Sequence, residues 1–208
     1  MALVDGRLYF APGLLMADLD LSDPRALVDA FERRVRGLFL EPIRILQHRS
    51  DGDEGALFAA ALLVAALIES IARIETGSRE TSDLIRGWLE TNVDGFQRTV
   101  TLRGGRGANP ETRTLADVFE HRFRNGLAHS GYVASLGRLS RSVQDVVSVT
   151  NDIVIVNPFS LADYVERNFA AFADDLRNGR RDIRAFSYRM AEQFRPEVDR
   201  ARIEAAAN

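Results

Sequence analysis

Apolar residues recur at helical spacing along most of the chain, and this pattern predicts six helices. The first begins with Ser22 as its N-cap and Pro24 in its first turn, and it is expected to bend near Pro42. The second extends from about Glu54 to Thr76 and is apolar nearly all the way round. A helix of this kind belongs at the centre of a bundle.

The remaining four helices follow from the same periodicity and from their end signals. They cover residues 78–93, residues 114–130, a stretch from Pro158 to about Asn178, and a stretch from about Arg180 to the end. The helix over 114–130 has Thr114 as its N-cap, Asp117 at the capping-box position, and Gly131 directly after it.

The other segments lack helical spacing. Residues 1–20 mix short apolar runs with a Pro-Gly turn, which predicts an extended arm or short strands. Residues 143–157 contain two β-branched runs around an Asn-Asp pair and predict a β-hairpin, whereas 94–113 read as a long loop that can partly pair as strand. We therefore predict a single, mainly α domain over residues 1–208: a helical bundle of about six helices with a small inserted β-hairpin.

Composition narrows the functional classes. A net charge of -3 argues against a protein covered in positive charge, so a polyanion would need a local arginine patch. The chain has no cysteine and no lysine, which excludes thiolate nucleophiles, sulfur-based zinc sites, a P-loop lysine and a Schiff base. The three separated histidines form no ligand cluster with a recognised metal-binding spacing, so we expect no metal site and no cofactor.

Two features bear on location. The most apolar run, residues 56–68, lies between two glutamates and is shorter than the roughly 20 residues that a bilayer span needs. The amino terminus shows no basic region followed by an apolar core, as a signal peptide would. We expect a cytoplasmic protein without membrane contact.

The stretch FRNGLAHSG, residues 123–131, holds the candidate chemistry. Arg124 and His129 are five positions apart, roughly 140° around an ideal helix, so they are not neighbours on one face. Asn125 is four positions from both His121 and His129, which predicts one polar stripe in which the amide orients the imidazole. Arg124 offers a planar fork for a phosphate, and the helix dipole favours the imidazolium form of His129.

This stretch resembles the motif of the HEPN superfamily, in which an arginine, a polar residue, a short spacer and a histidine end a late helix. A long apolar helix ending in an acidic residue, LLVAALIES, precedes it, which is similar to the HEPN arrangement. The resemblance implies that Arg124 and His129 form the catalytic pair of a metal-independent ribonuclease, with Asn125 in support. It also implies that two protomers meet at the site, so we predict a homodimer.

Other residues are candidates around this motif. Glu69 and His121 are candidate supporting residues, and Glu69 either pairs with Arg124 or a histidine inside the bundle or is exposed. The candidate RNA-binding residues are Arg122, Arg103 and Arg106. The two loop arginines are equally consistent with a solvated loop.

The leading hypothesis is thus an RNA endonuclease of HEPN type, as a toxin or phage-defence effector, with RNA as substrate. A cognate antitoxin or another protein is a candidate partner. Two alternatives stay open: a noncatalytic HEPN module that binds a nucleotide or a protein, and a purely structural helical dimer.

Overall fold

Helices dominate the computed structural model, which describes residues 2–4, 6–48, 54–78, 83–103 and 109–207. The α-helices are α1 (Pro24–Val35), α2 (Glu41–Gln47), α3 (Glu54–Thr76), α4 (Leu84–Asn92), α5 (Leu115–Val118), α6 (Asn125–Ser130), α7 (Pro158–Arg177) and α8 (Ile183–Ala206). Two π-helical segments, π1 (Arg36–Leu40) and π2 (Phe119–Arg124), join α1 to α2 and α5 to α6. Helices account for 62% of the structure, so the prediction of a mainly α protein is confirmed.

Eight short strands form three small sheets among the described residues. They are β1 (Ala2–Val4), β2 (Arg7–Ala11), β3 (Leu14–Leu15), β4 (Thr99–Leu102), β5 (Glu111–Thr114), β6 (Gly137–Leu139), β7 (Val147–Thr150) and β8 (Ile153–Val156). The sheets have the orders β1-β2-β3, β4-β5 and β6-β8-β7, with β6 parallel to β8 and every other pair antiparallel. Asn151 and Asp152 connect β7 to β8 with φ angles of 50° and 63°, as a type I′ turn requires.

The first helix begins differently from the sequence prediction. The Asp23 carboxylate accepts hydrogen bonds from the backbone N–H groups of Arg25 and Ala26, so Asp23 is the N-cap. The hydroxyl of Ser22 instead donates to Asp20 at 2.6 Å. Because an aspartate caps as well as a serine does, the sequence alone did not choose between two adjacent candidates.

The predicted distortion near Pro42 takes the form of π1. Proline has no N–H and its ring crowds the carbonyl four residues earlier, so the ordinary helical bond is lost there. In π1 the Glu41 N–H bonds to the carbonyl of Arg36, five residues back instead of four. The helix therefore continues through the proline into α2.

The chain divides into two compact units. The first contains the residues up to Pro42, Ile74–Gly77 and the residues from Phe169 onward; the second contains Ile43–Arg73 and Ser78–Asn168. The prediction of one domain over residues 1–208 stays a prediction.

The core of the first unit is rich in aromatic rings. Phe10 and Phe194 meet edge to face with centroids 5.0 Å apart, and Phe31 meets Phe169 at 5.6 Å. The Arg34 guanidinium lies over both rings of the first pair, 5.0 Å and 5.5 Å from their centroids. These contacts join α1 to Phe169 of α7, and β2 to α1 and α8.

The core of the second unit surrounds the motif helix. Phe119 and Phe123, one turn apart on π2, are fully buried and stack with centroids 5.7 Å apart. Phe96 meets Phe119 edge to face. These rings hold one face of π2, so that the polar motif residues lie beside a rigid core.

Helix α3 bears on the expectation about membrane spans. The helix has 23 residues, so it is long and apolar enough to cross a membrane, although half of its most apolar window is buried inside the protein. The core helix of a soluble protein has the same length and composition. The helix has the bounds that its periodicity predicted, Glu54 and Thr76, whereas the most apolar run, residues 56–68, covers only part of it.

Candidate functional site

The motif helix consists of α5, π2 and α6, and both of its predicted ends are present. Thr114 Oγ1 accepts a hydrogen bond from the Asp117 N–H at 3.2 Å, as an N-cap does. Gly131 follows α6 in the left-handed conformation, with φ 69°, and its N–H bonds to the Leu127 carbonyl. The sequence therefore predicted correctly where the motif helix begins and where it ends.

The π-helical turn inside this helix was not predicted. The Asn125 N–H bonds to the Glu120 carbonyl, five residues back. From outside the helix, the Ala134 N–H donates to the Arg122 carbonyl at 3.0 Å. Such turns occur frequently at functional sites, and here one ends at Arg124, the first residue of the motif pair.

Gly126 allows the chain after the helix to fold back onto it. A Cβ atom at this position would lie 2.6 Å from the Tyr132 carbonyl oxygen and 3.1 Å from the Ala134 nitrogen. Both neighbours are backbone atoms, so they cannot rotate away as a side chain can. The glycine that the sequence analysis singled out is thus required by a close backbone approach.

Arg124 is held from two sides. Its Nη2 donates to Glu69 Oε2 at 3.0 Å and its Nη1 to Asn125 Oδ1 at 2.9 Å. The other oxygen of Glu69 accepts from Arg73 at 3.0 Å. All three charged side chains are between 22% and 27% exposed, so water reaches the group. Of the alternatives for Glu69, the structure has the pairing with Arg124, and the Arg73–Glu69–Arg124 cluster has a formal charge of +1.

His129 is placed differently from the expectation. It lies in the last turn of α6, is exposed, and forms no hydrogen bond or ion pair with any part of the chain that the structure describes. The Asn125 carbonyl oxygen, which was expected to orient the imidazole, accepts from Arg124 instead. That expectation is wrong because the guanidinium next to Asn125 is a charged donor and binds the amide oxygen more strongly.

His121 belongs to another cluster. Its Nε2 lies 3.2 Å from Asp117 Oδ1, and the same carboxylate accepts from Arg113 at 2.6 Å. Asp117 is only 9% exposed, and the Arg113 guanidinium compensates a charge that is nearly buried. His121 therefore lies on the polar stripe by spacing but contacts Asp117 and not Asn125.

The three candidate RNA-binding arginines have different surroundings. Arg122 Nη1 lies 3.3 Å from the Ser135 hydroxyl, beside the segment that folds back after the helix. Arg103 is 80% exposed, and its nearest carboxylate is that of Asp152 at 4.0 Å. Arg106 lies outside the described residues.

Sequence reasoning missed two residues near the motif. Arg73 is four positions after Glu69 on α3, a spacing that by itself predicts a helical ion pair. Tyr132 is an aromatic residue with 58% of its surface exposed, directly after Gly131. No sequence signal announced its exposure, because tyrosines are as often buried as exposed.

Burial also raises the pKa of one carboxyl group in π2, that of Glu120. Glu120 is 7% exposed, and this burial raises its pKa above the usual value, although a hydrogen bond from the Asp83 backbone acts in the opposite direction.

Within the described ranges, no group of three or more histidine, aspartate or glutamate side chains could hold a metal ion.

Comparison with known proteins adds no family to this picture: no protein-family model, curated protein or solved structure matches the chain.

Proposed function

We propose that the protein is a metal-independent RNA endonuclease of HEPN type, with Arg124, Asn125 and His129 as its site and a homodimer as its working form. The observation that carries the proposal is that one helix holds, five residues apart, an anchored guanidinium and an imidazole that has no partner among the described residues. An arginine fixed by Glu69 and Asn125 has little orientational entropy left to lose when it binds a phosphate.

The cleavage needs one proton removed and one supplied. The imidazole of one His129 takes the proton of a ribose 2′-hydroxyl, whose oxygen attacks the adjacent phosphorus. The bond to the 5′-oxygen breaks, and the imidazolium of the partner's His129 gives that oxygen a proton. Arg124 stabilises the charge that grows on the phosphoryl oxygens. The products are a 2′,3′-cyclic phosphate and a free 5′-hydroxyl.

Two observations support the electrostatics of this step. Glu69 bonds both Arg73 and Arg124, so the Arg124 guanidinium shares this carboxylate with a second cation. Arg124 also keeps N–H groups beyond the two that bond Glu69 and Asn125, and a guanidinium has five donors in all.

The decisive experiment incubates the purified protein with single-stranded RNA in EDTA. We expect cleavage, 2′,3′-cyclic phosphate ends, and a block at any position where a 2′-deoxyribose is substituted. Mass measurement in solution should give a dimer. Failure to cut any RNA, or a requirement for a divalent cation, would contradict the proposal.

A binding module without catalysis is the second candidate. The bonds from Arg124 to Glu69 and Asn125 favour this candidate. They already give the guanidinium a structural role, which is to hold α3 against the motif helix. In that case RNA or a nucleotide is bound and released uncut. His129→Ala would then leave every measured property of the protein unchanged.

A further inference from the structure

Tyr132 places a free aromatic ring at the end of the motif helix. The residue is 58% exposed, and its ring forms no stacking, cation–π or hydrogen-bond contact with any residue that the structure describes. Exposed large apolar side chains are few in these ranges: Ile45, Leu62, Tyr132, Tyr188 and Ile203. Of these, Tyr132 alone follows the motif directly.

The backbone of Tyr132 is fixed to the motif helix at several points. Its carbonyl lies against Gly126, close enough to exclude a Cβ atom there. One residue before it, the Gly131 N–H bonds to the Leu127 carbonyl, and two residues after it, the Ala134 N–H bonds to the Arg122 carbonyl. The ring is therefore exposed on a backbone that is held against the motif helix.

The same short segment adjoins both kinds of candidate chemistry. His129 lies three residues before Tyr132, across the left-handed turn at Gly131. The Arg122 guanidinium lies near Ser135, three residues after it. Residues 122–135 therefore contain an imidazole, an exposed aromatic ring and a guanidinium whose end lies near Ser135.

We propose that Tyr132 is a base-stacking residue that binds an unpaired nucleobase next to the scissile phosphate, so that the substrate class is single-stranded RNA. This inference rests on the proposed function. Unpaired bases in loops and single strands stack on tyrosine, phenylalanine or tryptophan rings, whereas the bases of a duplex are stacked on each other. A tyrosine on a fixed backbone has only two side-chain torsions to lose on binding.

The charge of the protein makes such a contact important. At a net charge of -3 the protein has no general attraction for a polyanion, so nonspecific phosphate contacts contribute little. Stacking does not depend on net charge. It supplies affinity next to the site and sets the register of the scissile phosphate.

The test measures the affinity of a single-stranded oligoribonucleotide whose 2′-hydroxyls are methylated, so that it binds but cannot be cut. We expect Tyr132→Ala to raise Kd by about 5- to 150-fold, the range for loss of one stacked base. Tyr132→Phe keeps the ring and should keep wild-type affinity. Tyr188→Ala, which removes a tyrosine that is 69% exposed on α8, is the matched control and should change nothing.

Several results would overturn the inference. Full affinity in Tyr132→Ala, equal losses in Tyr132→Phe and Tyr132→Ala, or equally tight binding of a duplex each reject stacking. A monomeric Tyr132→Ala protein would assign the ring to a dimer interface instead.

Cleavage of unmodified RNA separates this inference from the proposed function. If the wild type cuts RNA, His129→Ala does not, and Tyr132→Ala retains full affinity, the nuclease proposal is supported and the stacking role of Tyr132 is rejected. If Tyr132→Ala loses affinity while the wild type cuts nothing, the RNA contact stands and the nuclease falls.

Discussion

Two helical stretches of this protein resemble each other closely in outline. Residues 24–48 and residues 115–130 each contain a π-helical segment, and each has an arginine and then an exposed histidine near its end. In the first stretch these residues are Arg44 and His48; in the second they are Arg124 and His129. Only the second resembles a catalytic motif.

The origins of the two π-helical segments differ. Pro42 follows π1 and lacks the N–H of a regular helix, so the distortion has a local cause. No proline lies in π2, where the Arg122 carbonyl accepts a hydrogen bond from the returning chain at Ala134. A π-helical turn is thus by itself no sign of a site, because one of the two is explained by its own sequence.

The surroundings of the two arginines differ more. Arg44 bonds the Glu166 carboxylate at 2.6 Å with its side chain 52% exposed, which is an ordinary surface ion pair of small net energy. Arg124 is 27% exposed and is bonded to Glu69 and Asn125 within a cluster of net positive charge. The candidate site is distinguished by the lower exposure of its arginine and by the second partner that holds it, in addition to a spacing of five residues instead of four.

The largest expected effect separates the two histidines. His129→Ala should lower the rate of RNA cleavage by about 10²- to 10⁴-fold, the usual contribution of a general acid or base. His48→Ala should leave the rate unchanged, because His48 follows a helix whose arginine is paired on the surface. Initial rates on one RNA substrate measure both effects. Equal rate losses in the two variants would contradict a catalytic role that is specific to His129.

The difference in cleavage rate between the two arginine variants should be slightly smaller than that between the two histidine variants. Arg124→Ala removes a charge that stabilises the phosphoryl oxygens and should lower the cleavage rate by about 10²- to 10³-fold. Arg44→Ala loses one surface ion pair and should lower neither rate nor stability measurably. Circular dichroism and mass measurement in solution compare the fold and the oligomeric state of both variants with those of the wild type. An active Arg124→Ala protein would remove the guanidinium from the mechanism.

Substitution of glycines gives the next effect. Gly126→Ala forces Cβ against the Tyr132 carbonyl and should lower the free energy of unfolding by about 1–3 kcal/mol, with loss of cleavage. Gly37→Ala in π1 meets the ring of Pro12 and should lower stability without a specific loss of activity. Urea unfolding measures both effects.

Gly87 in α4 is the matched control for these glycines. No atom lies within 4 Å of a Cβ built at this position, so Gly87→Ala should raise stability by about 0.5–1 kcal/mol through helix propensity. A Gly126→Ala protein as stable as Gly87→Ala would show that the returning chain does not pack as closely as described.

The smallest effects are opposite pH dependences at two glutamates. Burial acts to raise the pKa of Glu32, but hydrogen bonds from Arg177 and Arg36 outweigh it and the pKa is lowered. Its stabilising contribution is present above the ordinary pKa and is lost as the pH falls through the lowered one. Burial raises the pKa of Glu120, so its ionisation costs stability as the pH rises from the ordinary value to the raised one.

Urea unfolding from about pH 3, below the ordinary pKa of a glutamate, to about pH 7 distinguishes these signs. The free energy of unfolding of Glu120→Gln relative to wild type should increase with pH, whereas that of Glu32→Gln should decrease. Parallel trends in the two variants would contradict the assigned surroundings of one carboxylate.

Much of the fold was available to sequence reasoning because it depends on local chemistry. Thr114 and Gly131 end the motif helix where their types predict, and the Asn-Asp turn joins β7 to β8. The first cap was misassigned because Ser22 and Asp23 are both good caps. The candidate site was predictable only as a set of residues, since spacing on an ideal helix gives no information on which donor reaches which acceptor.

The sequence by itself determined where most helices lie, and the ends of the motif helix in particular, because caps, turns and apolar periodicity act over a few residues. It also determined that any cation at the site is an arginine. The tertiary structure alone decided that Glu69 pairs with Arg124, that Asn125 turns away from His129, and that Tyr132 is exposed on a backbone packed against Gly126. These contacts join positions 6 to 55 residues apart or depend on competition between neighbouring donors. Their geometry therefore follows from packing and not from local residue preference.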